Sequence, residues 1–358
     1  MIYERCKSHN IPYRKTGKLV VARAGQVPYI ENLHRKALGL KWPLHSTDSH
    51  QLVLPTKLLS GDEARILEPD LSDDIAAALW CPETGILDSH SFMGSLEKDI
   101  IESEGGHVVY NTRVVRIDPY HPANAEADDA DGWVVQTVTG DAEEGDAILA
   151  RTLINAAALS STLILNAILP ETERIPMYYA KGSYASYNGP GIGKVSHLIY
   201  PCPETGKNAH AFHSLGTHLT LDLNGKIRFG PDIEWISPPS SDRSEDADFW
   251  QTHLIPDESR LEEMHKAVTR YLPGVVLKGM QPDYSGMRPK LVPPQGGFQD
   301  FILRTDYSAR RSEANSSNEG GAMISLLGIE SPGLTSSLGI AEYLVEDILG
   351  AGRQQKRK

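Results

Sequence analysis

The stretch that most constrains this chain lies near its end. Ala322-Met323-Ile324-Ser325-Leu326-Leu327 is an apolar run of the length of a buried strand. Ser331-Pro332-Gly333 follow, and then Leu334, Leu338, Ala341, Leu344, Val345 and Ile348 recur at helical spacing. The pattern predicts a strand, a short turn and a helix, with Ser331 as N-cap and Pro332 in the first turn. Gly333 lets a ligand approach the backbone closely. A turn of this kind presents unpaired N–H groups and the positive end of a helix dipole. It therefore suits an anionic group such as a phosphate or a carboxylate. On spacing alone, an ordinary strand-to-helix connection reads the same way.

A chain of 358 residues is long enough for two domains and a large core. Its formal net charge of −12 argues against nucleic acid or an anionic membrane surface as a partner. An acidic substrate stays open, because only the local charge at a site decides that. Cys6, Cys81 and Cys202 are scattered and odd in number, which fits a reducing compartment without a disulfide framework. No apolar run approaches the length of a membrane span. Arg353-Gln354-Gln355-Lys356-Arg357-Lys358 reads as a basic, solvated tail.

Hydrophobic periodicity predicts helices over residues 1–10, 26–38 and 58–67, and a further one opened by Asp88 as N-cap. In that last helix Phe92, Met93, Leu96, Ile100 and Ile101 form one face, and Gly105-Gly106 end it. Strands are expected at residues 17–22, 107–110, 112–117, 133–138 and 147–154, with acidic loops at 121–131 and 237–248. Residues 178–187, 197–200, 217–223 and 226–230 predict a mostly antiparallel sheet, with Asn224-Gly225 as a hairpin turn. Pro256-Asp257 opens a helix expected to reach Tyr271. The glycine-rich Gly189-Pro190-Gly191-Ile192-Gly193-Lys194 precedes a strand-like run and carries an internal proline, so it is expected as a loop.

The segment Gly328-Ile329-Glu330-Ser331-Pro332-Gly333-Leu334-Thr335-Ser336-Ser337-Leu338 resembles the C-terminal flavin-contacting strand and helix of FAD-dependent oxidoreductases related to D-amino-acid oxidase. It is especially similar to the L-2-hydroxyglutarate dehydrogenase branch. Further stretches agree in order: residues 13–22, 82–88, 215–220, 229–232 (Phe-Gly-Pro-Asp) and 284–290 (Tyr-Ser-Gly-Met-Arg-Pro-Lys). The resemblance implies an α/β (α+β) fold of the two-domain flavin-oxidase type. Residues 67–168 and 301–349 would form the FAD-binding domain, residues 1–66 and 169–300 an antiparallel substrate domain, and residues 350–358 the tail. It also implies a strand, a G-x-G-x-x-G turn and a helix that hold the pyrophosphate. No part of this sequence matches that unit, and Met1-Ile2-Tyr3-Glu4-Arg5-Cys6 looks like the helix that follows it. An incomplete sequence and a natural variant both remain open. The implied reaction is FAD-dependent oxidation of L-2-hydroxyglutarate to 2-oxoglutarate, with electrons passing to an unidentified acceptor. The implied location is mitochondrial, or cytoplasmic if no targeting segment exists. A flavin-dependent amino-acid or amine oxidase of the same fold, and a non-catalytic remnant that binds no FAD, are the alternatives.

Site residues follow from the resemblance and from side-chain chemistry. Cofactor contacts are implied at Val114, Ala156, Ala157, Gly328, Ser331, Gly333, Leu334 and Thr335, with Ala158 standing where relatives carry glycine. Arg288 suits a carboxylate, which a guanidinium binds bidentately, and Gly286 and Pro289 are expected to hold it in a stiff turn. His218 titrates in the range that removing a hydroxyl proton needs. Tyr184, in Lys181-Gly182-Ser183-Tyr184, is expected to donate to a carboxylate. A dicarboxylate substrate wants a second cation, for which Lys181 and Lys290 both qualify. His210, His213 and His218 lack an acidic or cysteine partner at any recognised spacing, so no metal is expected.

Overall fold

A computed structural model describes residues 1–40, 52–122, 131–203, 216–238, 248–308 and 320–350. The predicted acidic loops fall largely outside these residues, as do His210, His213 and the basic tail. The architecture is mixed α/β, built on one large sheet and three small ones.

The large sheet has nine strands. They are β2 (Lys18–Arg23), β3 (Lys57–Ser60), β4 (Ile75–Cys81), β10 (Tyr178–Tyr187), β11 (Leu198–Pro201), β12 (His218–Leu221), β13 (Ile227–Gly230), β14 (Glu234–Ile236) and β15 (Met280–Lys290). β15 pairs with β10 at one margin, and β13, β12, β11, β2, β4 and β3 follow in that order on the other side. Every pairing is antiparallel except that of β11 with β2. Period-2 alternation divides the side chains between two faces. Leu19, Val21, Ile199, Leu219 and Phe229 point to one face, where Met264 and Val268 of α6 (Leu261–Val268) and Tyr271 cover them. Each such side chain, fully buried, contributes about 1.5–3 kcal/mol. On the opposite face Ala22, Leu79 and Cys81 pack under Ile30 and Leu33 of α2 (Val27–Gly39). The same face continues across β2, β11, β12 and β13 with polar and aromatic residues, and those build the site described below.

A parallel pair, β9 (Thr152–Asn155) with β17 (Ala322–Leu327), carries β16 (Ile302–Tyr307) antiparallel on β17. A separate meander joins β6 (Thr112–Tyr120), β7 (Gly132–Thr139) and β8 (Asp146–Ala150). Trp133, Val135 and Ile117 pack with Met323 and tie the meander to β17. A two-stranded ribbon links β1 (Tyr13–Arg14) to β5 (Ile86–Leu87), beside α1 (Ile2–Ser8) and α4 (Ser89–Glu102).

Several expectations change. Residues 58–67 are not one helix: β3 pairs with β4 up to Ser60, and α3 (Gly61–Leu67) begins there. Ser60 accepts from the Glu63 amide while the Glu63 side chain returns to the Ser60 amide, a capping box that stops the strand. Residues 107–110 form no strand, and residues 147–154 split at Arg151 into β8 and β9, which enter different sheets. The helix expected from Pro256-Asp257 to Tyr271 covers only Leu261–Val268. β4, within the expected FAD-binding segment that begins at residue 67, pairs with β2 and β3 in the large sheet. In α4 the Asp88 cap holds, accepting from the His90 and Ser91 amides, but of the apolar face Phe92 alone is fully buried. Met93, Ile100 and Ile101 are exposed. The glycine-rich segment 189–194 is a loop, as read from its proline.

Candidate active site

Two turns lie side by side at the carboxyl ends of β9 and β17, the place where open α/β sheets receive ligands. Their register pairs Ser325 with Asn155, so both chains leave the sheet together. Asn155 is buried and holds the first turn. Its side-chain amide donates to the Ser161 carbonyl (2.8 Å) and to Ser325 Oγ (3.3 Å), while Oδ1 accepts from the Ala157 amide (3.3 Å). Ala156, Ala157 and Ala158 are thereby presented, exposed, with no side chain larger than a methyl. Ala158 has φ +48°, the left-handed conformation a glycine adopts freely, so alanine has kept the backbone path at some strain. The second turn carries Gly328 at φ +65° and leads into α7 (Gly333–Tyr343). Ser331 is not the N-cap expected: Pro332 occupies that position, and no side chain caps the helix. Ser331, Leu334 and Thr335 are exposed beside the free helix start. Val114, on the margin of the meander, is 39 % exposed at a register shift between Val114 and Arg116. Small exposed residues, a left-handed turn and an uncapped helix start are what a dinucleotide's phosphates and ribose require, so these residues fit FAD.

The second cluster occupies the polar face of the large sheet. His218 opens β12 and stacks on Tyr200 of β11, with ring centroids 3.8 Å apart and 3° between planes. Only 7 % of His218 is exposed, and its Nδ1 has no hydrogen-bond partner among the described residues. Burial, then the positive charges of Arg288 and Lys18, push the His218 pKa down to about 3, so the imidazole is neutral. This corrects the expectation that His218 titrates near neutrality. Tyr200 is pushed up to about 12 by burial, with Tyr184 adding to the rise. Lys18 Nζ stands 4.9 Å from the Tyr200 ring centroid.

Arg288 sits in the long strand β15, opposite Ala180, and not in a turn. Its guanidinium crosses the neighbouring strand over Gly182, where a Cβ would come 3.1 Å from the Arg288 terminal nitrogen and 2.9 Å from Pro231. Gly182 is thus the notch through which Arg288 reaches toward His218. Among the described residues no carboxylate pairs with Arg288 or with Lys18. Arg228, on the same face, is paired with Asp283 at 2.5 Å. Tyr184 stacks on Tyr284 with centroids 4.3 Å apart, which fixes its ring on the margin of the cluster.

The two lysines expected as second cations are committed elsewhere. Lys181 is buried between Glu234 (3.8 Å) and Asp257 (3.7 Å). Strand alternation turns it away from Arg288, which shares a face with Gly182. Lys290 is bonded to Glu330 at 2.5 Å, both half-buried, and so clamps β15 to the Gly328–Gly333 turn. Sequence reasoning missed Lys18, Tyr200 and Gly182 as site residues. The signal for Lys18 was its alternation with Leu19, which puts it on the face opposite the core. Asp232, in Phe229-Gly230-Pro231-Asp232, accepts from the Ser183 amide (2.7 Å) and binds Arg260 (2.6 Å), a supporting role. Among the described residues no group of His, Cys, Asp and Glu is placed to hold a metal, and no helix is long and apolar enough to cross a membrane.

Comparison with known proteins gives the family. The family described as FAD dependent oxidoreductase matches residues 1–347. The mitochondrial L-2-hydroxyglutarate dehydrogenase of Arabidopsis thaliana is 30 % identical, over 98 % of this chain and 69 % of its own. The FAD-bound, dithionite-reduced L-alpha-glycerophosphate oxidase of Mycoplasma pneumoniae superposes with a TM-score of 0.64 at 17 % identity, covering 94 % of this chain and 73 % of its own. The L-proline dehydrogenase of P. horikoshii has the same TM-score at 17 % identity, covering 98 % and 76 %. The chain is therefore a member of the FAD-dependent oxidoreductase family, with FAD as its cofactor.

Proposed function

We propose that the protein oxidises the alcohol of a 2-hydroxy acid, L-2-hydroxyglutarate, to 2-oxoglutarate. The observation that carries this reading is the pairing of Arg288, free of any carboxylate among the described residues, with a neutral, buried His218 whose Nδ1 lacks a partner. A carboxylate on Arg288 would set the adjacent C2 hydroxyl against the imidazole. Oxidation removes the hydroxyl proton and the C2 hydrogen with its electron pair, leaving C=O. His218 takes the proton as the oxygen becomes more acidic. The carboxylate meanwhile cancels part of the positive field that holds the imidazole's proton affinity low, although the burial contribution remains. Tyr200, protonated throughout the neutral range, holds the imidazole plane by stacking. The chemistry that FAD supplies when bound is acceptance of the electron pair. Ala156, Ala157, Gly328, Ser331, Gly333, Leu334 and Thr335 would hold it, with Val114 toward the adenine end.

In this reading the FAD-binding half comprises the segments within 67–168 and 301–349 that lie outside the large sheet. The substrate half is that sheet with its helices. Electrons leave to an acceptor outside the chain. The Arabidopsis relative is called mitochondrial, which supports the same compartment here.

A substrate panel with an artificial electron acceptor tests the reading. L-2-hydroxyglutarate should exceed its D enantiomer and L-glutamate in kcat/KM by about 100-fold or more. A preference for the amino acid would contradict it, because the positive charges of Arg288 and Lys18 around the imidazole disfavour a substrate ammonium.

A further inference from the structure

Among the described residues, the cations on the polar face of the large sheet are Lys18, Arg228, Arg288 and, two residues further along the same strand, Lys290. Arg228 is already neutralised by Asp283 at 2.5 Å, with Asp222 at 3.9 Å. Lys181 points to the opposite face between two carboxylates, and Lys290 is bound to Glu330. Lys18 is half-buried, projects from β2 on the face of Val20 and Tyr200, and has no carboxylate within reach among the described residues. Its ammonium lies over the Tyr200 ring, and His218 already stacks closely on that ring. The order across the face is therefore Lys18, Tyr200, His218, with Arg288 entering from the far margin through the Gly182 notch.

We infer that Lys18 is the specificity-determining cation: it binds the distal carboxylate of a 2-hydroxy dicarboxylic acid whose C1 carboxylate is held by Arg288. The inference rests on the proposed 2-hydroxy-acid reading and adds the residue that selects a dianion over a monoanion. Two unpaired, partly desolvated cations on either side of one hydrogen-bonding imidazole repel one another until anions fill both positions. A monocarboxylate would neutralise one and leave the other desolvated without a partner, and that difference discriminates. The Tyr200 ring keeps the ammonium at a fixed height by its attraction for a cation, and it fills the space between the two polar ends with an apolar wall.

The experiment compares wild type with Lys18→Met and Lys18→Arg on L-2-hydroxyglutarate and on L-2-hydroxyvalerate, in which a methyl group replaces the distal carboxylate. Lys18→Met should lower the ratio of kcat/KM on the dicarboxylate to that on the monocarboxylate by about 10-fold or more, through KM, beyond any common change that follows from losing its charge beside His218. Lys18→Arg, which keeps the charge, should restore most of the preference. Equal loss on both substrates would make Lys18 a structural residue and overturn the inference, as would an unchanged ratio. Calorimetric binding of 2-oxoglutarate against 2-oxovalerate, by wild type and by Lys18→Met, provides a readout independent of turnover. If neither hydroxy acid is oxidised, the functional reading fails, while a dianion preference lost in Lys18→Met still upholds the role of Lys18. Binding with no preference for the dianion overturns it.

Discussion

In the proposed reaction Arg288 and His218 divide the work at the residue scale by charge. Arg288→Met should lower kcat/KM on the 2-hydroxy acid by about 100-fold or more, and Arg288→Lys should recover little of it, because an ammonium lacks the planar fork. Steady-state kinetics check both. His218 is chemically more constrained. Its pKa is near 3 in the fold and near 6.5 in the unfolded chain, so between those values the unfolded state binds the extra proton. Stability therefore falls as pH drops through that window, by at most about 1.4 kcal/mol per pH unit from this group. Thermal melts from pH 7 to pH 5 should show a shallower loss in His218→Gln than in wild type, whose slope contains this contribution. The same variant should lose about 100-fold or more in kcat with less change in KM. A loss in kcat/KM that falls entirely on KM would remove His218 from the proton step.

At the scale of elements, strand pairing brings the site together. Gly182→Ala would place a methyl 3.1 Å from the Arg288 nitrogen and 2.9 Å from Pro231. The arginine can swing aside but the Pro231 ring cannot, so the Gly230-Pro231 backbone must also shift, and about 10-fold or more loss in kcat/KM should come with a measurable loss of stability. A circular dichroism spectrum unchanged from wild type would separate that from unfolding. Asp88→Ala, which deletes the cap of α4, should reduce stability by about 1 kcal/mol without touching the chemistry. These elements also show what could be read in advance. The β17–α7 unit, the Asp88 cap and the Asn224-Gly225 turn were legible because local pattern and tertiary demand agree there. Residues 58–67 misled because Leu58 and Leu59 suit either period, and the Ser60–Glu63 capping box decides the boundary. Arg288 was legible as a candidate carboxylate ligand, but the cation proposed to partner it was not. Lys18, Lys181 and Lys290 have the same chemistry, and strand register together with Glu234, Asp257 and Glu330 decides which of them is free. The depressed pKa of His218 was illegible for a similar reason, since it comes from burial by strands distant in sequence.

Over the whole molecule the two clusters are joined by β15. Arg288 lies on the sheet face, and two residues later Lys290 is bonded to Glu330 on the turn proposed to hold the cofactor, which links strand to turn. The surface around the small sheets remains apolar: Ile100, Ile101, Val109, Val115, Ile148, Ile154 and Leu163 are each more than 40 % exposed. Apolar exposure of that extent predicts strong binding of a hydrophobic dye and a tendency to self-associate, read by fluorescence and light scattering. A monodisperse, dye-silent preparation would contradict that prediction. The measurement that tests the central claim most directly is anaerobic mixing of the FAD-loaded protein with L-2-hydroxyglutarate, followed by visible flavin absorbance. The account predicts that wild type bleaches, that the D enantiomer leaves the flavin oxidised, and that Arg288→Met bleaches far more slowly while retaining its FAD. A wild-type protein that keeps its FAD yet stays oxidised with L-2-hydroxyglutarate, or an Arg288→Met that bleaches at the wild-type rate, would contradict it.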